Sequence, residues 1–174
     1  GHMVHEFVSG PRAGQVMMTF CIDVGEAAKT GVSTYEIINL ADAPIPGAPY
    51  GQARADAVSA VVANAIALGW IDAKLQADTS QAGYLAKMGA IQAAIWEALG
   101  FDVQVNAAQT TAAVGNYYQL LMANFDATLR TAGLRAIAAP GQQDMLYIVP
   151  LPPAAFAGAG VLCLGFGVRT LRRR

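Results

Sequence analysis

A cysteine and a glutamine carry the chemistry this sequence could perform: Cys21 in Phe20-Cys21-Ile22-Asp23, and Gln92 in Ile91-Gln92-Ala93-Ala94-Ile95-Trp96. A cysteine thiolate can attack a glutamine carboxamide, expel ammonia and leave an internal thioester. That bond is an activated acyl group, able to pass to an outside amine as a stable amide. A chain that carries it reacts once and does not turn over, so it would be a capture device and not an enzyme.

Each residue alone also has a plainer reading. Free cysteine is often buried as a small hydrophobe, and Cys21 sits in an apolar stretch that suits this. Gln92 falls four residues after Met88 and three before Ile95, in the middle of a helical face read as Leu85, Met88, Ile95, Trp96 and Leu99. A buried glutamine satisfies its amide or costs about 1–3 kcal/mol. Either it bonds a neighbouring backbone, or its carbonyl carbon is joined to the Cys21 sulfur. Trp96, one turn on, and Phe20 would then shield the bond from water; otherwise they pack in the core. Asp23, Tyr35 and Glu97 lie close in sequence but read as surface or packing residues, and the sequence names no donors for an oxyanion. A cysteine hydrolase needs a base, normally histidine, and the only histidines are His2 and His5. No Cys/His spacing suits a metal, and no cofactor is expected.

The elements that must position the pair alternate in type. Gln15–Ile22 and Ser33–Asn39 read as strands rich in apolar and β-branched residues, with Gly25–Gly31 between them. Asp42–Gly51 carries Pro44, Pro46 and Pro49 and reads as an irregular loop. Gln52–Leu68 places Ala55, Val58, Val61, Val62, Ala65 and Ile66 on one helical stripe that stops at Gly69. Ser80–Leu99 is a second helix, closed by Gly100. Asn106 is expected to cap a third, from Ala107 to about Thr131, weakened at Gly115. Gln142–Val149 returns to strand alternation. Strands at both ends that bracket helices predict an α+β fold in which the last strand pairs back with the first ones.

Composition fits an ordered protein. The 174 residues are 55% hydrophobic and 13% charged, which argues against disorder. All 12 acidic residues precede Pro150, against 7 Lys and Arg, so the body is acidic and carries no nucleic-acid footprint. The other four arginines, Arg169, Arg172, Arg173 and Arg174, crowd the C-terminus beyond an uncharged run. Leu151–Val168 would span roughly 27 Å as a helix, close to a bilayer's hydrocarbon core, and the arginines suit a cytoplasmic end. Cys163 lies inside that run, so a bridge to Cys21 is not expected. Gly1-His2-Met3 reads as a cloning scar outside the fold, with a native export signal expected upstream.

Together the two motifs resemble those of the bacterial thioester domains of surface adhesins, in which an aromatic-Cys-apolar motif precedes a hydrophobic-Gln-x-x-hydrophobic-Trp motif. Gln143-Asp144-Met145-Leu146 before the last strand also resembles exported members. The resemblance covers most of Val4–Pro150. It implies a thioester-domain fold, with a β-rich subdomain carrying Cys21, a helical subdomain carrying Gln92 and a thioester joining them. It also implies covalent attachment to an amine-bearing surface partner, a protein lysine or an amino-glycan. The stretch before Cys21 is shorter than in longer members.

Val149-Pro150-Leu151-Pro152, the apolar run and the arginines resemble the PEP-CTERM sorting signals of Gram-negative bacteria, in the Val-Pro-Leu-Pro variant. Leu151 stands where the namesake has glutamate. This implies export, transient inner-membrane anchoring by a C-terminal transmembrane helix, and cleavage by an exosortase-like enzyme. The chain thus divides into a scar at 1–3, a domain at 4–149 and a sorting tail at 150–174. The competing expectation is a non-covalent structural protein of the envelope or extracellular matrix, with Cys21 a free buried thiol.

Overall fold

The computed structural model describes residues 2–104 and 111–149. Five strands, β1 (His2–Glu6), β2 (Val16–Cys21), β3 (Glu36–Ile38), β4 (Leu134–Ala139) and β5 (Gln142–Ile148), form one antiparallel sheet in the order β1-β2-β5-β4-β3. Three helices, α1 (Gly51–Ala67), α2 (Tyr84–Ala98) and α3 (Ala112–Ala123), lie between β3 and β4 in sequence. The fold is therefore mixed α and β, with a wholly antiparallel sheet. The last strand does return to the first ones, pairing Phe20 with Leu146 and Cys21 with Met145.

Period-2 alternation sorts the strand residues into two clusters. Phe20, Ile22, Leu146 and Ile148 meet Val58, Val62, Ile91 and Ile95 of the helices in the main core. Each such side chain contributes about 1.5–3 kcal/mol by leaving water. Cys21, Ile137, Met145 and Tyr147 form a second cluster, covered by Met17, Tyr35 and Trp96. Among the helices, α2 packs on both α1 and α3. Gly89 permits the second approach, since a Cβ there would stand 3.2 Å from Val114.

The seam between β2 and β5 is short. Among the described residues, register pairing stops at Phe20–Leu146. Beyond it a cavity of about 630 Å³ opens between Val16–Met18 and Tyr147–Val149.

Several expectations need correction. His2 and Met3 do not stand outside the fold: they pair with Phe20 and Thr19, and the His2 ring lies 4.8 Å from that of Phe20. Helix α2 begins at Tyr84 instead of Ser80, after Gly83 at φ 71°. Leu85 therefore sits in its first turn and is 70% exposed, not part of the inward face. Helix α3 ends at Ala123 and not near Thr131. Asn124 turns its amide back to Leu120 O, and Asp126 folds the chain through bonds from Thr128. Asn106 and residues 107–110 lie outside the described residues. The segment Leu134–Ala139 carries little strand signal of its own, because it is alanine-rich and weak in β propensity. Its pairing with β5 makes it one.

Candidate functional site

Cys21 ends β2, and among the described residues β1 offers it no partner. Ile22 N–H donates to Asp144 O (3.0 Å), so Phe20 and Ile22 face β5 with their backbone groups. The N–H and C=O of Cys21 point the other way, where β1 supplies its last described partner, His2, to Phe20. Gln92 fills the next position. Its Oε1 accepts the Cys21 N–H (3.0 Å), and its Nε2 donates to Cys21 O (2.7 Å). One carboxamide thus replaces a strand residue, donor to acceptor and acceptor to donor. Cys21 is fully buried and Gln92 is 3% exposed.

Helix α2 delivers that amide from a stretch buried almost all round, Ala90 to Ile95. The two residues singled out from the sequence therefore meet across 71 positions of chain. The thiol itself donates to Asp23 O (3.1 Å). Burial pushes its pKa up, while the Trp96 indole pulls the other way. Trp96 packs in the thiol's cluster; its buried Nε1–H closes no bond of full hydrogen-bond geometry, and the sulfur is the acceptor it acts on. Phe20 lies apart from the thiol, with its ring in the helix-facing core.

The backbone around the thiol is held on every side. Asp23 O also accepts from Gln143 Nε2 (2.9 Å), and Asp23 Oδ1 takes Gly25 N–H (2.7 Å). The Tyr50 hydroxyl donates to Ile22 O. Asp144 is fully buried, and its carboxylate accepts N–H groups from Ile45 (2.7 Å) and Ala139 (3.1 Å). Burial raises its pKa to about 6, with Asp23 and Glu26 adding to the rise and the two N–H donors opposing it.

Of the other residues near in sequence, Tyr35 joins the thiol's cluster, whereas Glu97 accepts the Tyr118 hydroxyl at the surface. The two histidines engage Leu75 O and Thr19 Oγ1. Of the four residues read as a sorting motif, Val149 donates its N–H to Gly133 O (3.0 Å). Pro150, Leu151, Pro152, Cys163 and the apolar run lie outside the described residues. Among the described residues no helix is long and apolar enough to cross a membrane, and no three His, Cys, Asp or Glu are grouped to hold a metal.

The groups that sequence reasoning missed are mostly backbone atoms. The Cys21 N–H, Asp23 O and Asp144 O carry no side-chain signal. The Asp144 carboxylate did carry one, as an acidic residue in the inward register of an apolar strand.

No protein-family model, curated protein or solved structure matches this chain.

Proposed function

We propose that Cys21 and Gln92 form an internal thioester by which the protein covalently captures an amine-bearing surface molecule. The observation that carries this reading is the two-point hold of the Gln92 carboxamide on Cys21. In bond formation Sγ attacks Cδ of Gln92, and the developing oxyanion at Oε1 already faces the Cys21 N–H, a preorganised donor. Collapse breaks the C–N bond. Nε2 leaves as ammonia with the proton that the thiol gives up. Capture reverses the roles: an amine nitrogen attacks Cδ, the C–S bond breaks, and the sulfur takes a proton as the new amide forms. Water attacking instead leaves a glutamate at 92, so half-buried Trp96 serves as a shield. This is single-use acyl transfer, not turnover.

Intact-protein mass tests the reading. Freshly purified, folded protein should lack the mass of one ammonia, and Cys21→Ala and Gln92→Ala should restore the full mass. A full mass in the unaltered protein would sink the idea. Methylamine should then add at Gln92 and free the Cys21 thiol.

One observation favours the non-covalent alternative. Both ends of the carboxamide and the thiol hydrogen are already satisfied, by Cys21 and Asp23, as in a buried polar pair with a structural task only. The protein would then be a non-covalent envelope or matrix component with a free thiol.

Delivery to the envelope forms part of the proposal and rests on the sequence of 149–174. An exosortase-like enzyme would cleave near Pro150–Pro153 after transient anchoring in the inner membrane. Expressed with an export signal beside the matching enzyme, the mature chain should end near Pro150. Changing Pro150 and Pro152 to alanine should leave it uncleaved in the membrane. Mature protein found in the cytoplasm with Arg174 attached would refute export and processing together.

A further inference from the structure

We infer that the Trp96 indole N–H is the donor that holds the Cys21 sulfur as a thiolate, both when the sulfur attacks Gln92 and when it leaves. This goes beyond shielding, which needs only the ring's apolar surface.

Buried polar groups in native proteins are paired, and an exception calls for a reason. Trp96 Nε1 is buried, closes no bond of full hydrogen-bond geometry, and lies in the cluster that surrounds Cys21, whose sulfur is the acceptor it acts on. A neutral thiol is a weak acceptor, so an indole N–H beside it gains little. A thiolate is a charged acceptor, and hydrogen bonds to charged groups are about twice as strong as neutral ones. The Nε1 donor therefore gains most when the sulfur is ionised. Burial opposes ionisation of Cys21, and Trp96 is the first group that counters it.

Position supports the role. Trp96 stands one helical turn after Gln92 on α2, so one rigid element brings both the acyl group and the sulfur's donor. The oxyanion and the thiolate then have separate donors: the Cys21 N–H for Oε1 and the Trp96 N–H for Sγ. The sulfur bears charge at both steps, once as nucleophile and once as leaving group. The consequence for acyl transfer rests on the thioester reading; the proton affinity of the thiol stands without it.

Trp96→Phe separates the two properties, since it keeps an aromatic shield and removes the N–H. In a Gln92→Ala background the thiol stays free, and its ionisation is read by ultraviolet thiolate absorbance against pH. The same protein with Cys21→Ala is subtracted to remove the tyrosines and Cys163. The midpoint should move up by about one pH unit in Trp96→Phe, a tenfold loss of thiolate at a fixed pH. With Gln92 present, ammonia loss after refolding should slow about tenfold near neutrality and recover at higher pH.

An unchanged midpoint overturns the inference, whatever the thioester does. A raised midpoint in a protein that never loses ammonia overturns the thioester reading and supports the donor. If Trp96→Phe fails to fold, benzothienylalanine placed at residue 96 keeps the bicyclic shape without the N–H. The same midpoint shift is then expected, and its absence again overturns the inference.

Discussion

Gln92 and Asp144 solve the same problem in different ways. Each is a buried polar side chain that satisfies backbone groups at the Cys21 end of the sheet. Gln92 meets one donor and one acceptor of a single residue. Asp144 meets two donors, Ile45 and Ala139, from two different segments. The amide is neutral, so its hold does not depend on pH, but its carbonyl carbon is open to a nucleophile. The carboxylate is inert to the thiol, yet its charge makes its hold depend on protons. The difference teaches that a neutral amide can meet a donor and an acceptor at once without depending on pH, and under the proposed function the same amide is the acyl donor.

The largest expected effect comes from importing one solution into the other site. Gln92→Glu should abolish ammonia loss and methylamine capture outright, because a carboxylate is not an acyl donor to a thiol. It also reproduces the side chain that hydrolysis of the proposed thioester would leave. Its Oε atoms can accept the Cys21 N–H but, once ionised, cannot donate to Cys21 O. Intact mass, and unfolding followed against pH, check both points.

Gln92→Ala should come next. Two buried backbone groups of Cys21 lose their partners, at about 1–3 kcal/mol each. Denaturant unfolding should show a loss of at least about 2–6 kcal/mol, to which the cavity left behind adds. A loss below about 0.5 kcal/mol would show that water or a neighbour replaces the amide.

The Asp144 effect is smaller and follows pH. Its folded pKa, about 6, lies above the ordinary 3.8, so between those values the native state binds more protons than the unfolded one. Stability should therefore fall as pH rises from about 4 through about 6, and this contribution is complete only below the lower value. Asp144→Asn should flatten that slope while lowering stability overall, because one backbone N–H then faces an amide donor. Thermal unfolding across the window checks the sign, and a slope of the same size in the variant would assign it to another group.

Two smaller effects bound the comparison. Trp96→Ala should hydrolyse the thioester faster while remaining folded; a rate equal to that of the unaltered protein removes the shield. Leu85→Gln should change stability by no more than about 0.5 kcal/mol, since the side chain is exposed.

Much of this arrangement was legible in the residues. Apolar periodicity located β2, β5, α1 and α2, and the two motifs named the residues that meet. The failures share a cause, since in each a neighbour overrides the local pattern. Leu134–Ala139 becomes a strand only through β5, and Gly83 delays α2 enough to put Leu85 in water. The Cys21 N–H and Asp23 O were out of reach for another reason: every residue has those atoms, so no residue type announces them.

The short β2–β5 seam has a mechanical consequence. The β1–β2 ribbon's backbone ladder to the rest of the sheet is only two register pairs and the Ile22–Asp144 bond; side chains add Arg12 and Phe7 on Tyr147, Phe20 in the main core, and the Gln92 carboxamide and His2–Leu75 on the helical side. A ribbon with so short a ladder is expected to open as one piece, at the cost of drawing Phe20 out of the core but below that of global unfolding. When it lifts, Cys21 leaves with it and Gln92 stays behind. Amide exchange in β1 and β2 should therefore run together and ahead of β4 and β5. A sulfur–carbon bond at the seam would change that, closing a loop of 71 residues and riveting the ribbon to the helices, so that a load on it would pass into the body of the protein.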